Sequence, residues 1–235
     1  MSLIQQAEQG NLPLLQNLDR ETLQWIQDNE SNELKNVDIV SVAKSIDIRK
    51  ISKFTPLPSW FISQNKVNSL HGIRHLMRVT TYAWLLSKEV DKIQKNNLLV
   101  AAVLHDIRRL NDKADEGHSA RAAKWYQQKR NEIIGKFKID TVNDEIIIEL
   151  IKSHELNSKD LKFRKLFDII KTSDALDRYI QPKKKWWLDD KYLNLQPSLE
   201  IKAYAFRLVI KSEEKYLDGI DSKEAVLSSL KDLQN

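Results

Sequence analysis

The sequence of 235 residues contains no cysteine, and it has only five glycines and five prolines. The lack of cysteine excludes disulfide bonds, thiolate metal sites and cysteine nucleophiles. Few glycines and prolines disfavour a turn-rich β fold, while leucine, lysine, isoleucine, alanine and glutamate are plentiful. The chain also lacks a secretory signal pattern and an apolar run of about twenty residues. We therefore expect a soluble cytoplasmic protein without a membrane partner.

Charge is present in both signs, with 38 lysines and arginines against 33 aspartates and glutamates, giving a net charge of +5. This excess is compatible with a phosphate-bearing partner but does not require one. The segment QPKKKWWLDDKYL, residues 181–193, sets Lys183, Lys184 and Lys185 beside Trp186 and Trp187. Cations beside aromatic rings are typical of single-stranded nucleic-acid binding. The alternative is a solvated turn held by two packed tryptophans.

Apolar residues recur mostly at helical spacing, so the sequence predicts an all-α protein. The break TPLPSW at 55–60 separates an N-terminal helical extension, residues 1–55, from a second region, residues 56–235. Helices are predicted in two pieces within 1–30, over 36–54, around 75–86, and over 96–106, 117–130, 143–155, 160–180, the stretch from Ser198 to about 217, and 221–233. No heptad pattern indicates an oligomeric state.

All five histidines lie between residues 71 and 154. Three of them, His75, His105 and His154, end or interrupt apolar helix faces, so we expect their imidazoles to point inward. A single buried histidine is usually satisfied by hydrogen bonds to the backbone or to a carboxylate. Three of them at inward positions call for a shared explanation.

Two aspartates are also expected at buried positions. Asp106 follows His105 directly after the apolar run LLVAAVL, and Asp174 lies on the helix face of Phe167 and Ile170. An unpaired buried carboxylate is costly. Three imidazoles and two carboxylates that converge on one core are satisfied together if they bind a divalent cation. Nitrogen and oxygen ligands without sulfur suit Mn²⁺, Fe²⁺, Ni²⁺, Zn²⁺ or Mg²⁺.

The segments HLMRV, LHD about thirty residues later, and SDALD near residue 174 together resemble the HD superfamily of metal-dependent phosphohydrolases. The resemblance covers roughly residues 68–180. It implies an HD-domain helical bundle with extra N- and C-terminal helices, in which residues 56–235 form the phosphohydrolase-like domain. It also implies activity on phosphate esters or anhydrides of nucleotides or related molecules.

The resemblance assigns His75, His105, Asp106 and Asp174 as metal ligands. Members of the superfamily that bind two metals carry two more histidines between the HD pair and the last aspartate, and His118 and His154 occupy that interval here. Asp106 would then bridge two ions. Arg108 stands where glycine is frequent in the superfamily, which leaves the loop geometry open.

Other polar residues near these ligands are candidates for substrate contact. His71 lies one helical turn before His75 and is expected to contact the substrate or support a ligand. Arginine and lysine are suited to phosphate groups, arginine by two hydrogen bonds, and the candidates are Arg78, Arg108, Arg109 and Lys113. Asp112, Asp115 or Glu116 is the candidate general acid for the leaving group. We predict Asp106, Asp112 and Arg109 as catalytic residues.

The resemblance therefore predicts a metal-dependent phosphohydrolase that hydrolyses a nucleotide or related small molecule through metal-activated water, using one or two divalent ions. The alternative is an HD-type nuclease or phosphodiesterase that acts on single-stranded nucleic acid or on a cyclic nucleotide. Two further hypotheses are a non-catalytic helical binding module and an oxygenase, because a few HD-fold proteins use a two-iron centre to oxidise an organic substrate.

Overall fold

The computed structural model describes residues 1–155 and 162–235, and it is all-α. Within these residues there are twelve α-helices and no β-strand. The helices are α1 Leu3–Glu8, α2 Arg20–Asp28, α3 Asn32–Lys35, α4 Val40–Lys44, α5 Ile48–Lys53, α6 Ile73–Leu86, α7 Lys92–Leu104, α8 His118–Phe137, α9 Asp144–Ser153, α10 Arg164–Leu176, α11 Leu199–Leu217 and α12 Ser222–Gln234. Single 3₁₀ turns lie at Pro58–Trp60, Gln64–Lys66, Asp177–Ile180, Lys184–Trp186 and Asp190–Tyr192.

The predicted all-α class is confirmed, but one predicted helix is divided. Residues 36–54 form α4 and α5 rather than one helix, because the Asp47 side chain accepts a hydrogen bond from the Lys50 backbone and begins α5 there. The helix predicted over 160–180 is observed as α10, and its predicted first residues, 160 and 161, lie outside the described residues. None of the described helices is long and apolar enough to cross a membrane.

Helix α6 occupies the centre of the bundle, and twelve of its fourteen residues are buried. It packs against α7, α10 and α12, while α7 packs against α9 and α9 against α8. At the other end of the chain, α2 and α3 pack against α11, and α4 packs against α12. One apolar core runs from Leu3 to Leu233, so the N-terminal helices share the core of the bundle.

A buried ionic network ties α6 to α11. Arg74 Nε lies 2.9 Å from each carboxylate oxygen of Glu213, and Arg78 Nη1 lies 2.5 Å from Glu213 Oε1. All three side chains are at most 1% exposed. Charges removed from water are costly unless they are paired and hydrogen-bonded. The network therefore fixes how the C-terminal helices sit on α6.

Replacing Glu213 by alanine should lower the free energy of unfolding by about 3–5 kcal/mol, because two buried guanidinium groups lose their partner. The measurement is urea denaturation followed by circular dichroism. The matched control is Asp218→Ala, which removes an ion pair with Arg20 whose side chains are 61% and 67% exposed. That change should cost no more than about 1 kcal/mol. Equal losses in the two variants would contradict the structural role of the network.

Candidate metal centre

Five helices bring six ligand-type side chains to one place. His75 lies in the first turn of α6, Asp174 lies in α10, and His118 is the first residue of α8. His105 and His154 end α7 and α9, and Asp106 follows His105. Two groups of three ligand atoms, His75–His105–Asp174 and His105–Asp106–His154, each lie within 4.8 Å. Two further such groups each include one residue from outside this set, His71 with His75 and Asp106, and Glu155 with His118 and His154. We call His75, His105, Asp106, His118, His154 and Asp174 the metal centre.

Each imidazole of the metal centre has its Nδ1 atom held by an oxygen. In three of them this oxygen is the backbone carbonyl three residues earlier, at 2.7–2.8 Å, in the pairs His105–Ala102, His118–Asp115 and His154–Ile151. His75 Nδ1 lies 2.8 Å from Asp177 Oδ2. A carbonyl or carboxylate oxygen only accepts, so the proton sits on Nδ1. In the neutral ring, Nε2 then carries a lone pair, and all four lone pairs face the interior of the centre.

The spacing of these Nε2 atoms fits metal ligation. His75 Nε2 lies 3.3 Å from His105 Nε2, and His118 Nε2 lies 3.1 Å from His154 Nε2. Two lone pairs facing each other repel unless a proton or a cation lies between them. Ligands about 2.0–2.2 Å from one ion are about 3.0–3.5 Å apart at the angles usual for coordination. The nitrogen and oxygen donor set therefore fits a divalent ion.

The carboxylates divide the centre into two subsites. Asp174 Oδ1 lies 3.5 Å from Nε2 of both His75 and His105, and Asp106 Oδ2 lies 3.7 Å from His75 Nε2. The other oxygen, Asp106 Oδ1, lies 2.9 Å from His118 Nε2 and 3.6 Å from His154 Nε2. We call these groups the first and the second subsite. Asp106 belongs to both, which is the arrangement expected of a bridging carboxylate.

The electrostatics of the centre favour charged carboxylates. Burial alone would raise the pKa of Asp106, but Arg109 and His105 outweigh burial and hold it well below its usual value. Burial lowers the pKa of His105, yet Asp106 and Asp174 raise it to about 9. The two carboxylates therefore favour the protonated, positively charged form of His105. A divalent cation would balance the negative charge of the same two carboxylates.

Asp177, which the sequence analysis did not single out, connects the centre to the buried ionic network. Its Oδ2 accepts a hydrogen bond from His75 Nδ1, and both of its oxygens accept hydrogen bonds from Arg78, at 2.6 and 2.9 Å. Carboxylates behind a metal-binding histidine orient the ring and make it a stronger ligand. The signal was present in the sequence, because Asp177 follows Asp174 by three residues and so shares its helix face.

The residues predicted to contact substrate do not all reach the centre. His71 and Arg109 line the cavity above it, and Arg109 Nη1 lies 3.3 Å from Asp106 Oδ2. Arg78 is fully buried in its pairs with Asp177 and Glu213. Arg108 donates to the Trp60 carbonyl, and Lys113 is exposed away from the cavity.

Asp112, Asp115 and Glu116, the three candidates for the general acid, all lie outside the cavity lining, including Asp112, which was predicted as catalytic. The Asp112 carboxylate is paired with buried Lys66 and accepts hydrogen bonds from the Gln16 backbone and the Ser69 hydroxyl. These contacts join three segments of the chain, which contain Gln16, Lys66 with Ser69, and Asp112. The structure thus places Asp112 in a supporting position rather than beside a leaving group.

The metal centre forms part of the lining of a cavity of about 620 Å³. Other lining residues come from α10 and the segment after it, and they include Lys171, Arg178, Ile180, Trp186, Leu188 and Leu193. Volumes of about 300–1,000 Å³ are usual for sites that bind small molecules. The metal centre is therefore open to a small ligand.

Comparison of the chain with protein-family models, with curated proteins and with solved structures gives no match. The chemistry of the metal centre and its cavity is therefore what bears on function.

Metal-stripped protein should bind up to two divalent ions when it is reloaded separately with Mn²⁺, Fe²⁺, Ni²⁺, Zn²⁺ or Mg²⁺. His118→Ala should bind about one, because the second subsite loses a ligand while the first keeps all of its own. Elemental analysis after gel filtration measures the ratio. Val40→Ala, an exposed change on α4, is the control. Failure of all five metals to bind the wild-type chain would refute the metal centre.

Asp177→Asn should weaken metal binding by about 10–100-fold, because the amide no longer holds the His75 ring with a full negative charge. Competition with a chromophoric chelator measures the affinity, at a temperature where circular dichroism shows the variant folded. The control is Asp168→Asn, on α10, the helix that precedes Asp177; the partner of Asp168 is Arg164. An affinity equal to that of the control would exclude a supporting role for Asp177.

Proposed function

We propose that this chain is a metal-dependent phosphohydrolase that hydrolyses a phosphate ester or anhydride of a nucleotide or related small molecule. The observation that carries the proposal is the set of four inward-facing Nε2 atoms around Asp106 and Asp174. His75, His154 and both aspartates also line the cavity. Four residues of the metal centre, His75, His105, Asp106 and Asp174, lie in the segments that carry the resemblance to the HD superfamily. His118 and His154 occupy the positions that the resemblance implies for a second ion.

The donor set fits a divalent ion, with His75, His105, Asp106 and Asp174 as ligands in the first subsite and His118, His154 and Asp106 in the second. Such an ion supplies a bound water whose pKa falls toward about 7, and it neutralises charge on a phosphoryl group. The protein itself fixes the ligands before substrate arrives, because every Nδ1 atom is held by an oxygen.

Arg109 contributes a positive charge to the cavity and holds the loop beside it. Its guanidinium lies against Asp106 and also donates to the carbonyls of Asn111 and Lys113. The charge favours an anionic substrate, and the hydrogen bonds keep the loop from moving away from the second subsite. The proton for the leaving group has to come from a group that lines the cavity or from water, since Asp112 does not line it.

The nuclease alternative receives less support from the segment 181–193. Trp187 is 8% exposed and packs against Trp25, Tyr179 and Phe206, so it offers no free face to a base. Of the two tryptophans of this segment, Trp186 remains for stacking. We therefore keep single-stranded nucleic acid as an outcome of the assay and not as the favoured substrate.

The wild-type chain loaded with a divalent metal should release phosphate or pyrophosphate from at least one member of a panel of nucleoside mono-, di- and triphosphates and cyclic nucleotides. Asp106→Ala should lower the rate by at least about 10³-fold, since both subsites lose a ligand and several kcal/mol of transition-state stabilisation are removed. The control is Asp218→Ala, far from the cavity.

Three results would count against the proposal. Cleavage of a single-stranded oligonucleotide but of no small nucleotide would favour the nuclease. Oxygen consumption with an organic product would favour the oxygenase. Metal binding that raises the melting temperature without turnover of any panel member would favour a non-catalytic module.

A further inference from the structure

The cavity wall that follows α10 in the chain is held in place by Trp187. The indole Nε1 of Trp187 donates to the Gln181 carbonyl at 2.8 Å, and its ring packs edge-on against Trp25, Tyr179 and Phe206. Trp187 is thus the buried anchor of residues 181–193. These residues fall outside the part of the sequence that resembles the HD superfamily, so the resemblance does not explain them.

Trp186, the neighbour of this anchor, lines the cavity. It ends the 3₁₀ turn Lys184–Trp186 and is only partly exposed. Lys183 Nζ lies 4.9 Å from the centre of its ring. Leu188 and Leu193 line the cavity with it. Gln181 and Asp189 of the same segment also line the cavity, so this wall sets an aromatic ring and two leucines among polar groups. A phosphate group alone would not require the ring or the leucines.

Two cations line the same cavity on either side of Asp174. Lys171 precedes Asp174 by three residues and Arg178 follows it by four, so the three share one face of α10 and the turn after it. Burial and the nearby charge of Arg178 lower the pKa of Lys171, although Asp168 opposes them. Both side chains line the cavity beside Asp174, so they place positive charge where a further anionic group of a ligand could bind.

We infer that this wall recognises the part of the substrate that is not attacked: Lys171 and Arg178 bind an additional anionic group, and Trp186 stacks on an aromatic ring. The inference rests on the proposed function and narrows its substrate class to a phosphorylated compound with an aromatic ring and more than one anionic group, such as a nucleoside diphosphate. Sugar phosphates and glycerol phosphates lack the ring. Stacking on Trp186 then favours substrates over these compounds.

Binding is measured by isothermal titration calorimetry on the metal-loaded full chain with two probes that resist hydrolysis between their phosphorus atoms. The first is α,β-methylene-ADP, and the second is methylenediphosphonate, which has the two anionic groups without the nucleoside. Trp186→Ala should weaken α,β-methylene-ADP by about 5–150-fold, the equivalent of about 1–3 kcal/mol for one stacked base. It should change methylenediphosphonate by less than about twofold, since that probe has no ring to stack. Trp186→Phe should restore most of the loss.

Arg178→Ala should weaken both probes, because both carry the anionic groups. Trp84→Ala is the control for the tryptophan, since Trp84 also has a lysine over its ring, Lys95 at 3.8 Å, but does not line the cavity. Lys185→Ala, in the same segment but exposed, is the control for the arginine. Neither control should alter the affinity of either probe.

Equal loss of both probes in Trp186→Ala, no loss of either, or no binding of α,β-methylene-ADP to the wild-type chain would overturn the inference. These results are separate from those for the proposed function, because binding is read without turnover. Binding that depends on Trp186 and Arg178, without hydrolysis of any nucleotide, would support the proposed ligand contacts of this wall and contradict the proposed phosphohydrolase activity. Nucleotide hydrolysis that is unchanged in Trp186→Ala and Arg178→Ala would support the phosphohydrolase activity and contradict the proposed ligand contacts of this wall.

Discussion

The hydrogen bond between His75 and Asp177 joins the metal centre to the buried ionic network that ties α6 to α11. Asp177 holds the His75 ring on one side and Arg78 on the other, and Arg78 in turn holds Glu213 of α11. Without Arg78, the buried carboxylate of Asp177 would lose the ion pair that balances its charge, and its burial would destabilise the fold. A ligand on α6 is therefore oriented by a residue after α10 and by a helix near the C-terminus. The stability of the bundle and the geometry of the metal centre share the same charges.

The other three histidines are oriented locally. Each donates from Nδ1 to the carbonyl three residues earlier, at the end of α7, at the start of α8 or at the end of α9. The ring direction is thus set by the helix terminus itself, and only the packing of α7, α8 and α9 is needed to bring the three rings together. Neighbouring residues in the chain thus orient each of these rings, and the packing of helices that are distant in sequence brings the rings together.

The helical class and the inward positions of His75, His105 and His154 could be predicted because both depend on short-range apolar periodicity. The assignment of six metal ligands, including His118, came from the resemblance to the HD superfamily and stays a prediction. All six predicted ligands lie together in the structure. The buried positions of Arg78 and Asp112 could not be predicted, because they depend on ion pairs with Glu213 and Lys66, which are distant in sequence. Spacing alone also did not tell which of Trp186 and Trp187 is buried, because that depends on contacts with α2 and α11.

The anchoring of Trp187 has a consequence for how a ligand meets the cavity. Because its ring is packed among Trp25, Tyr179 and Phe206, the segment that presents Trp186 has lost its conformational freedom during folding. A ligand does not have to order that wall when it binds, and the entropy that would otherwise oppose association is smaller. The cavity then selects by fit to a surface that already exists, and a molecule of the wrong shape cannot remodel it at little cost.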